Sequence, residues 1–294
     1  MKSWKIDAIA GLIAGIIAGI IGLISALIQF SIGIQYFFLE PPPETPITGI
    51  AIREITINAF YGIGLGIIYS RIQDLIPGRS LKKGIYYGLV LWIIFNLRTA
   101  TIASMYRFYD WAIIFLLMWT LIIYGPVLGI LYEKLGSKYI VVQKRAKKKE
   151  FDLVKGIQVG AIAGIVYGTF VFLTNTVSTY LGIYGQIPGT MESPYLTDIG
   201  FIMSQLGAHI VFNLFWGAIF GVFFVFFYDR VPGEGVLKGL YFALIIFIIT
   251  SFRVAIYDFA YELFLMAETW FIAGLIPAIG YGLTIGYLYR KPTK

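Results

Sequence analysis

Arg98 lies inside the apolar run "IIFNLRTA" (93–100), and Arg253 lies in the matching run "IITSFRVA" (248–255). A guanidinium near the middle of a spanning helix costs about 2.5–3.5 kcal/mol, so it is retained for a partner, for reach to water or for a ligand. Two readings stand side by side. Each arginine forms a salt bridge that locks neighbouring helices, with Glu54, Asp110, Asp258, Glu262 and Glu268 all on the same side of the chain's topology. Alternatively, the two form a symmetric pair of cationic sites for a carboxylate, a phosphate headgroup or a quinone carbonyl. Counted from Gly84, Arg98 lies about 21 Å along its helix, in the outer third of a hydrocarbon core roughly 30 Å thick.

A second set of polar residues follows helical spacing. Gln205, His209 and Asn213 recur every fourth residue and so share one face, as do Glu54 and Asn58, with Arg53 alongside. Polar groups inside a membrane face the bundle interior and pair with something. The stripe therefore either hydrogen-bonds between helices or lines a polar cavity opening outward, where His209 can enter proton or quinone chemistry. Aligning "YSR" (69–71) with "YDR" (228–230) matches Asn213 to Glu54.

Other chemistry is excluded by composition. The chain has no cysteine and a single histidine, so it cannot by itself build thiolate sites, iron–sulfur clusters, a bis-histidine haem or a multi-histidine metal site. There is no Walker loop, HExxH, nucleophile elbow or dinucleotide fingerprint. The expectation is a protein that is not an enzyme, with no metal and no cofactor of its own. "IGYGLTIG" (279–286) contains the Gly-Tyr-Gly of potassium filters but lacks the Thr-Val lead-in, and "IYGPVLG" (123–129) keeps one glycine of the pair. These glycines read as helix packing.

The positioning elements follow from hydropathy. Hydrophobic residues make up 59% and charged residues 13% of the 294 positions, against roughly 45–50% and 25% in soluble domains. Apolar segments near 7–31, 50–70, 84–106, 111–132, 153–179, 204–228, 238–257 and 269–289 are each long enough to span a bilayer. The first is too long for a secretory signal core and reads as an uncleaved helix. The absence of cysteine and the richness in Ile and Tyr suit a thermophile.

The chain also matches itself. "PGRSLKKGIYYG" (77–88) reads against "PGEGVLKGLYFA" (232–243) at an offset of 155, which pairs Arg98 with Arg253. Asp7, Gly11, Gly15 and Gly19 match Asp152, Gly156, Gly160 and Gly164 at an offset of 145. These glycine ladders bring helix backbones close where lipid supplies no hydrophobic drive. The expected fold is an all-α integral membrane protein with eight transmembrane helices. They form two parallel four-helix repeats with pseudo-two-fold symmetry along the membrane normal, 1–143 (basic linker from about 133) and 144–294. Nineteen of the 23 Lys and Arg fall on one side of that topology, which places both termini in the cytoplasm of a multi-pass cell-membrane protein. The linker "KRAKKK" (144–149) is then a topology determinant beside an anionic leaflet, and no nucleic-acid partner is expected. "FFLEPPPETPITG" (37–49) and "GIYGQIPGTMESPYLTDIG" (182–200) are external loops, stiffened by proline.

Each half resembles a family of small bacterial inner-membrane proteins typified by the YagU protein. The likeness lies in "AGLIAGIIAGIIG", "EPPPETP", and a second helix leading through "YSRIQDLIPGRSLKKG" or "YDRVPGEGVLKG" into a further apolar helix. It implies a four-helix unit and brings no biochemistry. Two functions are expected from the residues. The first is transport or binding of a small anionic solute or lipid near Arg98 and Arg253, with Glu54, Asn58, Gln205, His209 and Asn213 in reach. The second is a non-catalytic membrane subunit that anchors partner subunits, or contacts quinone or lipid, in a larger, respiratory-type complex.

Overall fold

The structure is a computed structural model. It describes residues 4–31, 47–105, 120–136, 152–180, 199–252, 255–256 and 264–289. Arg253, Arg107, Asp110, Asp258 and Glu262, the basic linker and nearly all of the two external loops lie outside these residues. The chain divides into two compact units, Met1–Ala146 and Lys147–Lys294.

In the first unit, α1 (Trp4–Ser31) and α2 (Ile47–Ile72) are followed by a third helix in three parts. These parts are α3 (Ser80–Trp92), a π-helical turn (Ile93–Leu97) and α4 (Arg98–Met105), and α5 (Thr120–Gly136) completes the unit. In the second unit, α6 (Leu153–Tyr180), α7 (Ile199–Phe227), α8 (Val236–Phe247) with its own π turn (Ile248–Phe252), and α9 (Phe264–Leu288) occur in the same order. The described residues are helical, with no strand among them, and five of the helices are long and apolar enough to cross a membrane. Large apolar side chains point outward, Ile199 at 77% and Val211 at 70% exposure. A soluble protein avoids such faces, whereas lipid solvates them.

The helices pair by backbone contact. A Cβ added to Gly11 of α1 would lie 3.0 Å from Gly66 Cα of α2, and one on Gly62 would lie 2.8 Å from Gly15 Cα. The α3–α5 crossing is built the same way, with a Cβ on Gly125 falling 2.6 Å from Gly88 Cα. In the second unit Gly160 and Gly164 of α6 meet Gly221 and Gly217 of α7, and Gly239 of α8 meets Gly282 and Gly286 of α9. Lipid tails are as apolar as leucine, so this close van der Waals approach, open only to small residues, is what holds the pairs. α1 packs on α2 and α5, and α6 packs on α7 and α9.

The pairs are braced by aromatics. Tyr124 of α5 donates its hydroxyl hydrogen to Gly62 O of α2 at 2.7 Å, and Tyr87 of α3 donates to Leu65 O at 2.7 Å. Tyr281 of α9 donates to Gly217 O of α7 at 2.9 Å. Ring contacts fall on matching positions: Tyr69–Tyr87 at 5.0 Å and Tyr69–Tyr132 at 5.5 Å, against Phe224–Phe242 at 5.1 Å and Phe224–Tyr289 at 5.5 Å. The turns before the third helices agree too. Gly78 and Gly233 both hold positive φ, +95° and +83°, a conformation that side-chain-bearing residues rarely adopt.

These contacts correct two alignments expected from sequence. Gly15 lies against Asn58 O and Gly164 against Asn213 O, so Gly11, Gly15 and Gly19 correspond to Gly160, Gly164 and Gly168, one helical turn further than the match to Gly156, Gly160 and Gly164. Asp7 is thereby matched by Gly156, since Gly66 meets Asp7 O where Gly221 meets Gly156 O. On the second helices, Asn213 corresponds to Asn58, and His209 takes the place of Glu54. A ladder of glycines every fourth residue looks the same after a one-turn slip, and only the partner helix fixes its register.

Candidate functional site

Glu54, Arg98 and His209, three of the residues singled out by sequence, lie at the same distance from one end of their helices. Glu54 lies 18 residues before the end of α2, Arg98 lies 18 residues after the start of α3, and His209 lies 18 residues before the end of α7. Each is therefore about 27 Å along its helix from the end that carries Lys5, Arg71 and Lys83 in one unit and Lys155 and Lys238 in the other. A spanning helix presents such a level near one interface of the hydrocarbon core.

In the first unit, Asn58 is 6% exposed and donates through Nδ2 to Glu54 O at 2.9 Å. Its Cβ and backbone carbonyl face Gly19 and Gly15 of α1. In the second unit, Asn213 is 3% exposed and donates to His209 O at 2.8 Å, against Gly168 and Gly164 of α6. Both asparagines thus donate an amide hydrogen within their own helix while packing at a crossing. Glu54, Arg53, Gln205 and His209 are half-buried, and the imidazole of His209 tilts against the Phe172 ring at 6.2 Å.

Arg98 is 9% exposed and starts α4 directly after the π turn, with Asn96 inside that turn buried as well. A π turn accommodates one extra residue and changes which side chains face inward, a device concentrated at functional sites. The second π turn occupies the corresponding five residues, Ile248–Phe252, directly ahead of Arg253 in sequence. There Thr250 is buried and donates to Ile246 O at 2.8 Å, next to Ser251 at 3.3 Å.

Sequence reasoning missed the interior of the first unit. Tyr61, Tyr69, Tyr87, Tyr124 and Tyr132 are all buried, and Tyr132 hydrogen-bonds Asp7 and Gln73 at the basic end. The corresponding positions of the second unit are Trp216, Phe224, Phe242, Tyr281 and Tyr289, so three phenols give way to rings without a hydroxyl. The signal was present: Tyr61 and Tyr69, Tyr124 and Tyr132, and Tyr281 and Tyr289 are each eight residues apart, about two turns and one face. At the basic end of the second unit, Lys238 Nζ lies 4.2 Å from the Tyr228 ring centroid and Lys155 Nζ lies 5.2 Å from that of Tyr289. Burial, then the adjacent Asp152, Tyr228 and Asp229, raise the Tyr289 phenol above its ordinary range.

Among the described residues no three His, Asp or Glu side chains gather in a metal-binding group. Compared with protein-family models, with curated proteins and with solved structures, the chain matches none.

Proposed function

We propose that the chain is an eight-span membrane protein made of two parallel four-helix repeats, with both termini in the cytoplasm, each half a relative of the YagU-type family. In this reading it binds or transports a small anionic solute or lipid headgroup at the level of Arg98 and Arg253. The observation that carries it is Arg98, a guanidinium only 9% exposed within a predominantly apolar helix. An ionisable side chain at such depth faces the bundle interior and marks substrate and ion pathways, and the preceding π turn aims the chain locally. The recurrence of a π turn before Arg253 supports a second site of the same kind.

The test is native mass spectrometry of gently solubilised protein, followed by flux of whatever anion is retained into proteoliposomes. Arg98→Gln and Arg253→Gln should each lower retention at least about tenfold, which is about 1.4 kcal/mol of binding, while leaving a monodisperse protein. Retention unchanged in both variants overturns the anion reading. Partner subunits co-purifying with no retained small molecule replace it with a membrane-anchor role.

A further inference from the structure

The contact register makes Glu54 and His209 occupants of the same position, and we propose that this position is the proton-binding site of each unit. The inference deepens the anion reading above, on which its purpose rests, by naming the proton as the coupled ion.

The geometry is the same on both sides of the correspondence. Each residue sits one turn before a buried asparagine whose amide binds its carbonyl, Asn58 to Glu54 O and Asn213 to His209 O. Each faces the third glycine of the facing ladder, with Gly19 near Glu54 O and Gly168 near His209 O. Each is half-buried in a helix long and apolar enough to span a membrane. A purely structural position at a crossing is served by any neutral side chain, as the flanking Ile55 and Ile210 show. Here the chain carries its one histidine and one of its few intramembrane carboxylates at matching points, and ionisable groups at such depth mark proton and ion pathways.

Few other charged groups share their level, Arg53 and Arg98 beside Glu54, and Glu268 in the unit of His209. Around Glu54, α1 carries charge only at Lys5 and Asp7, and α5 only at Glu133 and Lys134, all at the far basic end. The third helix brings Lys82 and Lys83 at that end and Arg98 at Glu54's own level, while α2 itself brings adjacent Arg53 and distant Arg71. Around His209, α6 carries Lys155 at the basic end and the phenols Tyr167 and Tyr180. α7 carries no other charge, α8 carries Lys238 at the basic end, and α9 carries Tyr281 and, in its first turns, Glu268. Chemically the two positions act alike although one is an acid and the other a base. A proton neutralises the carboxylate or charges the imidazole, and either event adds one positive charge at that level, which in the first unit is the level of Arg98. Proton binding therefore strengthens the hold on an anion, and proton release weakens it.

His209 is the only histidine, so the imidazole can be read without assignment. Protein carrying 13C/15N-labelled histidine in lipid nanodiscs is titrated by NMR from about pH 5 to 8, the range in which an imidazole near its ordinary pKa changes charge. The imidazole shift should move through a single midpoint. Phe172→Ala should displace that midpoint by about half a pH unit or more, because the ring packed on the imidazole sets its desolvation. The double variant Glu54→His with His209→Gln carries its only histidine in the first unit, and that imidazole should titrate in the same window. A flat shift across the range overturns the proposal. So does a midpoint that ignores Phe172→Ala, which would mark an imidazole open to water, or a histidine at position 54 that stays flat. None of these readouts involves the anion, so loss or survival of retention in Arg98→Gln is judged separately.

Discussion

Tyr124 and Tyr281 each use a phenol to tie the fourth helix of a unit to a glycine carbonyl of the second. The acceptor is already hydrogen-bonded along its own helix, so the extra donor uses the carbonyl's second lone pair, and the phenol gains a partner it cannot find in lipid. Interhelical hydrogen bonds of this kind are worth about 0.6 kcal/mol on average and up to about 1.7. Tyr124→Phe keeps the ring and removes only that bond. It should lower stability by roughly 0.5–2 kcal/mol, read as a shift in thermal unfolding in detergent, and Tyr281→Phe should do the same. A loss of folded protein in either variant would mean that the hydroxyl holds more than its one carbonyl. The phenols also separate the two units chemically. Tyr69 and Tyr87 give way to Phe224 and Phe242 with nearly the same ring spacing, 5.0 against 5.1 Å. Ring packing is thus the shared requirement at these two positions, and their hydroxyls, with Asp7 and Gln73 at the end of the column, belong to the first unit alone.

At the scale of elements, glycine identity within a helix matters where a neighbouring helix approaches closely. On α7, Gly217 lies so close to Gly164 that a Cβ would fall 2.5 Å from its Cα, whereas Gly207 has nothing within 4 Å. Gly217→Ala should destabilise by about 1–3 kcal/mol through forced separation of α6 and α7, while Gly207→Ala should be neutral or stabilising by up to about 1 kcal/mol from helix propensity. Thermal unfolding of the two variants side by side checks both signs. The π turns allow a different intervention. Leu97 is 40% exposed and lies within the first π turn, between buried Leu91 and Ala100. Deleting it removes the extra residue and lets an α turn close with the flanking contacts kept. Stability should stay within about 1 kcal/mol while anion retention falls as in Arg98→Gln. Retention at the wild-type level would make the π turn a packing feature. The helices themselves were legible in the sequence, because an apolar run of spanning length admits few alternatives. The π turns were not, since one extra residue leaves no mark in hydropathy. The slip from Gly156 to Gly160 had the same origin as the mismatch of Asn213 to Glu54: fourfold spacing repeats itself, and "YSR" against "YDR" is too short to hold a register that Gly62 and Gly217 fix by contact.

For the whole molecule, parity decides topology. In the proposed arrangement, four spans in each unit return the chain to the side on which it started, so the N-terminus, the 144–149 linker and the C-terminus share a side, the one that collects 19 of the 23 basic residues. The weakest members of that count are α5, 17 residues or about 26 Å, and the apolar helix Val236–Phe252. If α5 stopped short of crossing, the linker's lysines and arginine would have to pass to the outer face, against the charge rule, and the second unit would invert. The apolar stretch "WAIIFLLMW" (111–119) directly before α5 supplies the missing length in sequence. Fusions of a reporter active only in the cytoplasm should therefore work after Lys294 and within 144–149, and fail within 37–49 and 182–200, where a reporter active only outside should work instead. Signal from the linker fusion on the outer side would remove α5 as a span and with it the parallel arrangement. The arginine pair would then lie towards opposite faces of the membrane, and the two sites would no longer open to the same side.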